Sequence, residues 1–515
     1  MNTCFRTKTA TPLVLAVASL FAACTADTPT ETFSELPENT DQPSQQVEIS
    51  GSVISDRVIT TDCGDLYDGF LVAPGFAEAR DIELRDLPPP MTAMLAIGGG
   101  RELLSTDYDQ VSSGYVLMEP LDSKQSFLIN TEKEVVATIE GDYFPLYTQM
   151  LDNGNHLIIS FSHTDIFPAS GGSAGCVEER TAEGDLLWRI NMNTEQYIQH
   201  HDVIKLENGN ILAMIWDLVS ADEAIALGRN PEHVGEDGTF FWDAIIEVNP
   251  ETLEIVWEWN VKDHLIQDVD PNKPNYGVIA DHPERIDINK TRARAHPDWL
   301  HNNAFDYNPE LDQIMLSSNY LSEIWFIDHS TRPEESMSSE GGRYGKGGDF
   351  LYRWGNPSNY DQGSEDDRLT YNQHDIQWIL PGLPGAGNIL IYNNGDRELR
   401  PYTSLIELVP DMNEDGSYNL TESGHFGVGE IVWEYDPDPS EQFLSWFLSG
   451  AQRLSNGNTL VAQGAGGHVR EINPEGKIVW DYSFNEDPEA PPHMLFRTYK
   501  YEPDHPGLVN LLLSN

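Results

Sequence analysis

A single phrase recurs along this sequence and constrains its fold more than any other feature. Each copy has an apolar strand, a tight turn built on Asn-Gly-Asn or a close variant, a second apolar strand and, after a variable segment, an apolar strand that carries a tryptophan. Asn-Gly between alternating apolar runs is a strong hairpin signal, because both residues tolerate positive φ. The turns lie at 153–155, 208–210, 384–388 and 456–458. The closing tryptophans are Trp188, Trp257, Trp354, Trp433 and Trp480.

The number of copies predicts an all-β fold, a six-bladed β-propeller over residues 114–515. Five copies are complete, and a sixth, which begins at His493, is truncated. We expect residues 114–140 to supply its missing outer strands, since joining the two ends of the chain in one blade removes exposed sheet edges. Residues 49–113 are expected to form a small β-rich N-terminal domain ahead of the propeller.

The N-terminus has the pattern of an export signal. Residues 1–23 contain a basic start and a short apolar core, and they end in Phe-Ala-Ala before Cys24, a sequence similar to a bacterial lipobox. We therefore expect acylation of Cys24 and a periplasmic or outer-membrane lipoprotein that touches the membrane through its lipid anchor only. A soluble secreted protein with an incidental cysteine is the alternative. Residues 24–48 are rich in Thr, Pro, Glu, Ser and Gln and are predicted to be a disordered stalk.

Two cysteines remain in the chain after Cys24, at Cys63 and Cys176. In an oxidising compartment they are candidates for one disulfide, and two inert buried thiols are the alternative. The sequence has no Cys-x-x-Cys pair and no Cys/His spacing typical of zinc sites, so we expect no metal and no cofactor.

The charge of the chain restricts its partners. The 84 acidic and 30 basic residues give a net charge of −54. Such a surface repels nucleic acid and anionic lipid, and we expect neither as a partner. A small molecule remains as the expected ligand.

Histidines occur at similar positions in consecutive copies of the repeat. His201, His301 and His374 each fall near the start of a predicted innermost strand, and His493 opens the last copy. Because the first strand of every blade lines the central channel of a propeller, we expect these side chains to converge on the axis. Imidazole serves there as a nucleophile, as an acid or base, or as a metal ligand.

Several segments resemble the bacterial arylsulfate sulfotransferase family, in the right order over roughly residues 110–515. The resemblance implies a six-bladed propeller behind a small β-domain, exported from the cytoplasm. It also implies transfer of a sulfuryl group from an aryl sulfate donor, a phenolic sulfate ester, to a phenolic acceptor, without a nucleotide donor. The segments are HHDVIKLENGNIL (200–212), WLHNNAFDYNPELDQIMLSSN (299–319), DFLYRWGNPSNY (349–360), YNQHDIQWILPGLPGAGNILIYNNGDR (371–397) and SGAQRLSNGNTL (449–460).

The resemblance also implies roles for individual residues. The family's nucleophile, which becomes sulfated, matches His374 in the Gln-His-Asp motif. The His-x-Asn motif matches His301 and Asn303, and the His-His-Asp motif matches His201, or its neighbour His200. These residues would bind the sulfuryl oxygens and move the proton of the phenol.

One position departs from the family pattern. Asn319 stands where well-studied members have an arginine, and asparagine donates hydrogen bonds without carrying charge. Three outcomes remain open: Arg397 or Arg453 supplies the missing charge, the substrate differs, or transfer is weak.

Two other functions are compatible with the pattern. A four-histidine iron site formed by the three channel histidines and His493 would make the protein a metal-dependent oxygenase. A non-catalytic envelope lipoprotein that scaffolds other proteins would tolerate loss of these histidines.

Overall fold

The computed structural model describes most of the chain from Ser55 onward. The residues described are 55, 57–64, 106–162, 171–235, 238–290, 297–396, 398–437, 443–484 and 493–514. The predicted signal peptide, Cys24, the predicted stalk, most of the expected N-terminal domain and Arg397 lie outside them.

Strands dominate the described part of the chain, which also holds three α-helices. The helices are α1 (Ala221–Ala226), α2 (Pro333–Ser336) and α3 (Pro506–Ser514). The strands are β1 (Tyr115–Pro120), β2 (Gln125–Ile129), β3 (Val135–Glu140), β4 (Pro145–Met150), β5 (His156–Phe161), β6 (Gly175–Arg180), β7 (Leu186–Asn191), β8 (Tyr197–Lys205), β9 (Ile211–Ser220), β10 (Thr239–Val248), β11 (Ile255–Asn260), β12 (Leu265–Ile266), β13 (Ile286–Asp287), β14 (Asn302–Asn308), β15 (Gln313–Ser318), β16 (Glu323–Asp328), β17 (Tyr352–Trp354), β18 (His374–Trp378), β19 (Ile389–Asn393), β20 (Ser404–Val409), β21 (Glu430–Tyr435), β22 (Gly450–Arg453), β23 (Thr459–Gln463), β24 (His468–Ile472), β25 (Ile478–Ser483) and β26 (Leu495–Tyr501). No described helix is long and apolar enough to span a membrane.

The strands form six four-stranded antiparallel sheets, the blades of a propeller. Blades 1 to 5 are β4–β7, β8–β11, β14–β17, β18–β21 and β22–β25, each with its first strand at one edge of the sheet. Blade 6 combines β26 with β1, β2 and β3. The strands β12 and β13 form a separate parallel pair in the insertion that precedes blade 3. The predicted six-bladed propeller is confirmed.

The ring closes through both ends of the chain, as the truncated last copy predicted. Strand β26 pairs antiparallel with β1, with Leu117 opposite Tyr499 and Tyr115 opposite Tyr501. The innermost strands, β4, β8, β14, β18, β22 and β26, surround the axis, whereas outer strands such as β3 and β21 are largely exposed.

The repeated tryptophans connect neighbouring blades. In four blades the indole N–H donates to an oxygen in the next blade around the ring, whereas Trp188 of blade 1 donates to Glu179 of its own blade. The bonds are Trp257 to Thr331 Oγ1 (3.1 Å), Trp354 to the Val428 carbonyl (2.7 Å), Trp433 to the Pro474 carbonyl (3.3 Å) and Trp480 to the Thr131 carbonyl (3.0 Å).

The turn asparagines also take part in a recurring set of three side chains that links neighbouring blades, which we call the blade joint. In each joint a turn asparagine donates to a glutamate on the third strand of its own blade, and a cationic or titratable side chain of the following blade binds the same glutamate. The joints are Asn155–Glu179–Lys205, Asn210–Glu247–His329, Asn388–Glu407–Arg453 and Asn458–Glu471–Lys500. The repeat therefore encodes contacts between blades as well as hairpins within them.

Residues 57–64 are attached to the propeller at three places. Cys63 and Cys176 of β6 form a disulfide, Thr60 bridges to Asn191 of β7, and Arg57 pairs with Asp217 and with Glu258 of blade 2. This short segment is thereby held against blades 1 and 2.

Candidate active site

The three histidines predicted to meet lie on or beside three consecutive innermost strands. His374 is the first residue of β18, His301 immediately precedes β14, and His201 lies within β8. Pairing with the second strand is irregular at each place and resumes at Val203, Ala304 and Ile376.

The repeat predicts that the three histidines occupy equivalent positions on their strands, and two of the three do. His201 and His374 both stand two residues before regular pairing resumes, whereas His301 stands three residues before it. His301 reaches the same place from a shifted position, helped by a left-handed backbone with φ of 49°. His201 has a similar φ of 52°, a conformation that non-glycine residues rarely adopt without a local reason.

Hydrogen bonds determine which nitrogen of His374 carries the proton. Its Nδ1 lies 2.9 Å from Asn394 Oδ1 and 3.1 Å from the Asn372 carbonyl. The oxygen of Asn394 is identified by its amide nitrogen, which donates to the carbonyls of Ser445 and Leu448. Both neighbours of Nδ1 are acceptors, so Nδ1 bears the hydrogen and Nε2 is unprotonated. The backbone N–H of Leu448 donates to Nε2 over 3.2 Å.

His301 is oriented by a carboxylate. Its Nδ1 lies 2.6 Å from Asp298 Oδ2, and the other oxygen of Asp298 accepts the backbone N–H of His301. The ring stacks on Tyr320 with centroids 4.9 Å apart. This arrangement leaves Nε2 of His301 available for proton transfer, with Asp298 to stabilise a positive charge on the ring.

His201 and His200 form a pair in which one ring supports the other. The two Nδ1 atoms are 2.8 Å apart, and the His200 ring stacks on Trp216 with centroids 3.9 Å apart. His201 meets the His301 ring edge-on at 4.8 Å. Its Nε2 lies so close to Gly172 that a Cβ there would stand 2.2 Å away, which explains the glycine. The structure places His200, which is fully buried, behind His201.

Burial keeps these imidazoles neutral. Burial is the largest effect on His374 and, with the nearby His301, lowers its pKa to about 3. Burial likewise lowers the pKa of His201 well below its ordinary value, and that of His200 to about 3. After burial, the neighbouring His301 contributes to the lowered pKa of all three. At neutral pH the cluster therefore presents an unprotonated Nε2 on His374.

Two predicted asparagines hold the segment that carries His374. The amide nitrogen of Asn303 donates to the Gln373 carbonyl over 2.9 Å, and that of Asn319 donates to the Asn372 carbonyl over 2.9 Å. The Oδ1 of Asn303 is buried without a hydrogen-bond partner. Both side chains thus act on the backbone on either side of Gln373.

Comparison with protein families identifies the chain. A family model described as "Arylsulfotransferase (ASST)" matches residues 148–489. The chain belongs to the arylsulfotransferase family. Membership indicates a sulfotransferase whose substrates are aryl sulfates and phenols. A search among curated protein sequences finds no significant match.

Solved structures similar to this arylsulfotransferase are distant. A protein of unknown function from Bacteroides caccae is 15% identical, with 76% of this chain and 99% of that one covered and a TM-score of 0.41. A putative 6-phosphogluconolactonase from Bacteroides fragilis is 10% identical, with 78% and 100% covered and a TM-score of 0.36. Apo AztD from Citrobacter koseri is 10% identical, with 76% and 99% covered and a TM-score of 0.32. Likenesses this distant carry no argument about function.

Arg453 does not supply the positive charge that is lost where Asn319 replaces the family arginine, because it is paired elsewhere. Its guanidinium binds Glu407 over 2.7 Å in the joint between blades 4 and 5. Two arginines that flank His374 in the sequence are also paired elsewhere, Arg353 with Glu323 and Arg400 with Glu434.

Sequence reasoning missed a buried cation near the cluster, Arg497 of β26. Its charge contributes to the lowered pKa of both His201 and His374. Arg497 is the only arginine of the truncated last copy and lies on a strand predicted to line the channel, which was the signal available. Sequence reasoning also missed Asp298, although it lies only three residues before His301.

His493 is in a different environment from the other three histidines. Its Nδ1 lies 2.9 Å from Asp122 Oδ1, and its side chain is 45% exposed, whereas His201 and His374 are buried. Within the described residues, no group of three or more His, Cys, Asp or Glu side chains is arranged to hold a metal ion. The four-histidine arrangement therefore lacks its fourth member.

Proposed function

We propose that this arylsulfotransferase moves a sulfuryl group from a phenolic sulfate ester to a phenol through a sulfohistidine at Nε2 of His374, without a nucleotide donor. The observation that carries the proposal is the state of this imidazole. A buried ring whose Nδ1 proton is committed to Asn394, and whose pKa burial lowers to about 3, keeps a lone pair on Nε2 at neutral pH.

In the first half of the reaction, Nε2 of His374 attacks the sulfur of the donor. An N–S bond forms, the S–O bond to the aryl group breaks, and the electron pair of that bond leaves with the phenolate. The proton on Nε2 of a protonated His301 passes to the phenolate oxygen, so that phenol departs. Asp298, whose Oδ2 lies 2.6 Å from Nδ1 of His301, orients the ring for this transfer.

The second half reverses these roles. An acceptor phenol gives its proton to Nε2 of His301, and its oxygen attacks the sulfur of sulfohistidine. The S–O bond forms, the N–S bond breaks, and His374 regains its lone pair. Donor and acceptor would use the same site in turn, which is a ping-pong mechanism.

Stabilisation of the sulfuryl oxygens falls to uncharged donors in this proposal. Asn319 replaces the family arginine, and its amide is used by the backbone at Asn372. The N–H of Leu448 already meets Nε2 at 3.2 Å and would donate to a sulfuryl oxygen once the sulfur occupies that nitrogen. Slower transfer than in members with the arginine is the expected consequence.

Steady-state transfer from an aryl sulfate to a phenol tests the proposal. Initial rates at several concentrations of both substrates should give parallel double-reciprocal lines. His374→Gln removes the nucleophile, and we expect a loss of several orders of magnitude. His329→Gln is a matched control, because that histidine lies in a blade joint. Intersecting lines, or a His374→Gln protein that still transfers sulfuryl groups, would contradict the mechanism.

We also propose that the enzyme is a lipoprotein of the periplasm or outer membrane, anchored through Cys24. The lipobox-like sequence that ends at Cys24, with the apolar segment before it, supports this proposal. Cells fed a labelled fatty acid should label the wild-type protein and leave Cys24→Ser unlabelled. An unlabelled wild type would reject the anchor.

A further inference from the structure

We infer that Arg497 is a positioning residue that fixes the two dipeptides His201–Asp202 and His374–Asp375, so that closure of the propeller by β26 completes the active site. The inference rests on the proposed role of His374. It adds a residue from the last blade to a site whose histidines come from blades 2, 3 and 4.

One guanidinium nitrogen of Arg497 faces the carboxylates of both dipeptides. Nη1 donates to Asp202 Oδ2 over 2.9 Å and lies 3.5 Å from Asp375 Oδ1. All three side chains are buried, with 5% or less of each exposed. Each aspartate directly follows one of the histidines in the chain, so a shift of the carboxylate moves the backbone that carries the imidazole.

The two aspartates extend this contact to the other innermost strands. Asp202 accepts from the Tyr147 hydroxyl on β4 over 2.7 Å and from the Phe305 N–H on β14 over 3.2 Å. Asp375 accepts the Ala451 N–H on β22 over 2.9 Å. Together with β26, β8 and β18, all six innermost strands meet in this one layer around the axis.

Arg497 is the cation that balances this layer. Despite its burial, the charges of Asp202 and Asp375 hold its pKa well above the ordinary value. Asp306, a partly exposed carboxyl near Asp202 and Asp375, accepts the Trp378 N–H, and desolvation raises its pKa to about 7. Without Arg497, Asp202 and Asp375 would lie buried without this counterion, and we expect them to separate and displace the attached histidines.

Arg453→Met provides the matched control for Arg497→Met. Both arginines lie on innermost strands, both are buried, and each binds a carboxylate, at 2.7 Å for Arg453 and 2.9 Å for Arg497. Arg453 contacts a blade joint, so its loss affects packing without acting on the histidine dipeptides.

The test measures the single-turnover rate at which His374 is sulfated by an aryl sulfate without an acceptor. The protein carries its Cys63–Cys176 disulfide, and the rate is expressed per folded molecule. Arg497→Met should slow it about 100-fold, the order expected for a displacement near 1 Å, and Arg453→Met should stay within about threefold of wild type. Arg497→Lys, which retains the charge without the planar fork, should recover about tenfold over Arg497→Met. Equal rates for Arg497→Met and Arg453→Met would overturn the inference.

Two further measurements cover the remaining outcomes. If Arg497→Met does not fold, Asp375→Asn retains an acceptor for Ala451 and removes the facing charge, and a wild-type sulfation rate in that variant would overturn the inference. Nitrogen NMR of 15N-histidine protein reads the His374 ring without any reaction. A changed His374 signal in Arg497→Met but not in Arg453→Met supports positioning even if wild type is never sulfated, and an unchanged signal contradicts it.

Discussion

The two ends of the innermost strands differ in how their polar groups are used. At the turn end, each joint glutamate is occupied by a turn asparagine and by a side chain of the next blade, as in Glu471 with Asn458 at 2.6 Å and Lys500 at 2.7 Å. At the histidine end, Asn303 Oδ1 and Gln373 Oε1 are buried without hydrogen-bond partners, whereas at the turn end Arg453 Nε is such an atom although its Nη2 binds Glu407.

Left-handed backbone at non-glycine residues occurs at both ends, at Asp312 in the turn between β14 and β15 with φ of 54° and at several residues beside the histidines. His201, His301 and Asp375 have left-handed φ values of 52°, 49° and 47°, although none of them is glycine. Strain and unsatisfied polar groups are tolerated where a site needs a fixed geometry, and the rest of the structure stabilises them. The difference teaches that the regular part of each repeat maintains the ring, whereas interruptions of the repeat build the site.

Among substitutions at the two ends, His301→Asn should have the largest effect on sulfuryl transfer. Loss of the acid and base should reduce transfer by roughly 10²–10⁴-fold, with little change in the free energy of unfolding. Transfer rates and urea denaturation of the same preparations measure both quantities. A strongly destabilised protein, or one with full transfer, would break the division between the two ends.

Glu471→Gln should have the opposite profile. It leaves Lys500, which is 6% exposed, without its carboxylate partner. Removal of one member of a buried ion pair costs about 3–5 kcal/mol, so the urea midpoint should fall while transfer per folded molecule remains. Glu334→Gln, which changes an exposed glutamate paired with Arg332, is the control and should leave both quantities unchanged. Loss of transfer in folded Glu471→Gln would contradict the separation.

A smaller effect is expected from pH at the joint of blades 2 and 3. Although burial opposes it, hydrogen bonds to Asp312 and Glu247 raise the pKa of His329 from 6.5 to about 9. A raised folded-state pKa means that the stabilisation is complete below pH 6.5 and is lost as the pH rises through 9. The free energy of unfolding should fall by about 3 kcal/mol over that window, and His329→Gln should flatten the curve. An unchanged slope in His329→Gln would assign the effect to another group.

The sequence predicted the ring because its signals are local. An Asn-Gly turn such as Asn208-Gly209 and a tryptophan such as Trp257 recur in consecutive copies, and closure by β26 follows from a copy too short to be a blade. Convergence of His201 and His374 follows from the same register, whereas His301 reaches the cluster from a position shifted by one residue.

Other features depend on contacts between distant parts of the chain and were not predictable. Arg497 reaches Asp202 across 295 residues, and Leu448 reaches His374 across 74. The Asn394 contact that sets the tautomer of His374 depends in turn on the carbonyls of Ser445 and Leu448. No periodicity in the sequence encodes such pairs.

The central claim is that His374 accepts the sulfuryl group on Nε2, and intact-protein mass spectrometry tests it most directly. Wild-type protein mixed with a good aryl sulfate and no acceptor should gain the mass of one SO₃, mapped to the peptide that contains His374 and lost when a phenol is added. His374→Gln should gain none, while His301→Asn should still gain it slowly. Sulfation at another residue, or transfer by wild type with no sulfated intermediate on His374, would contradict the account.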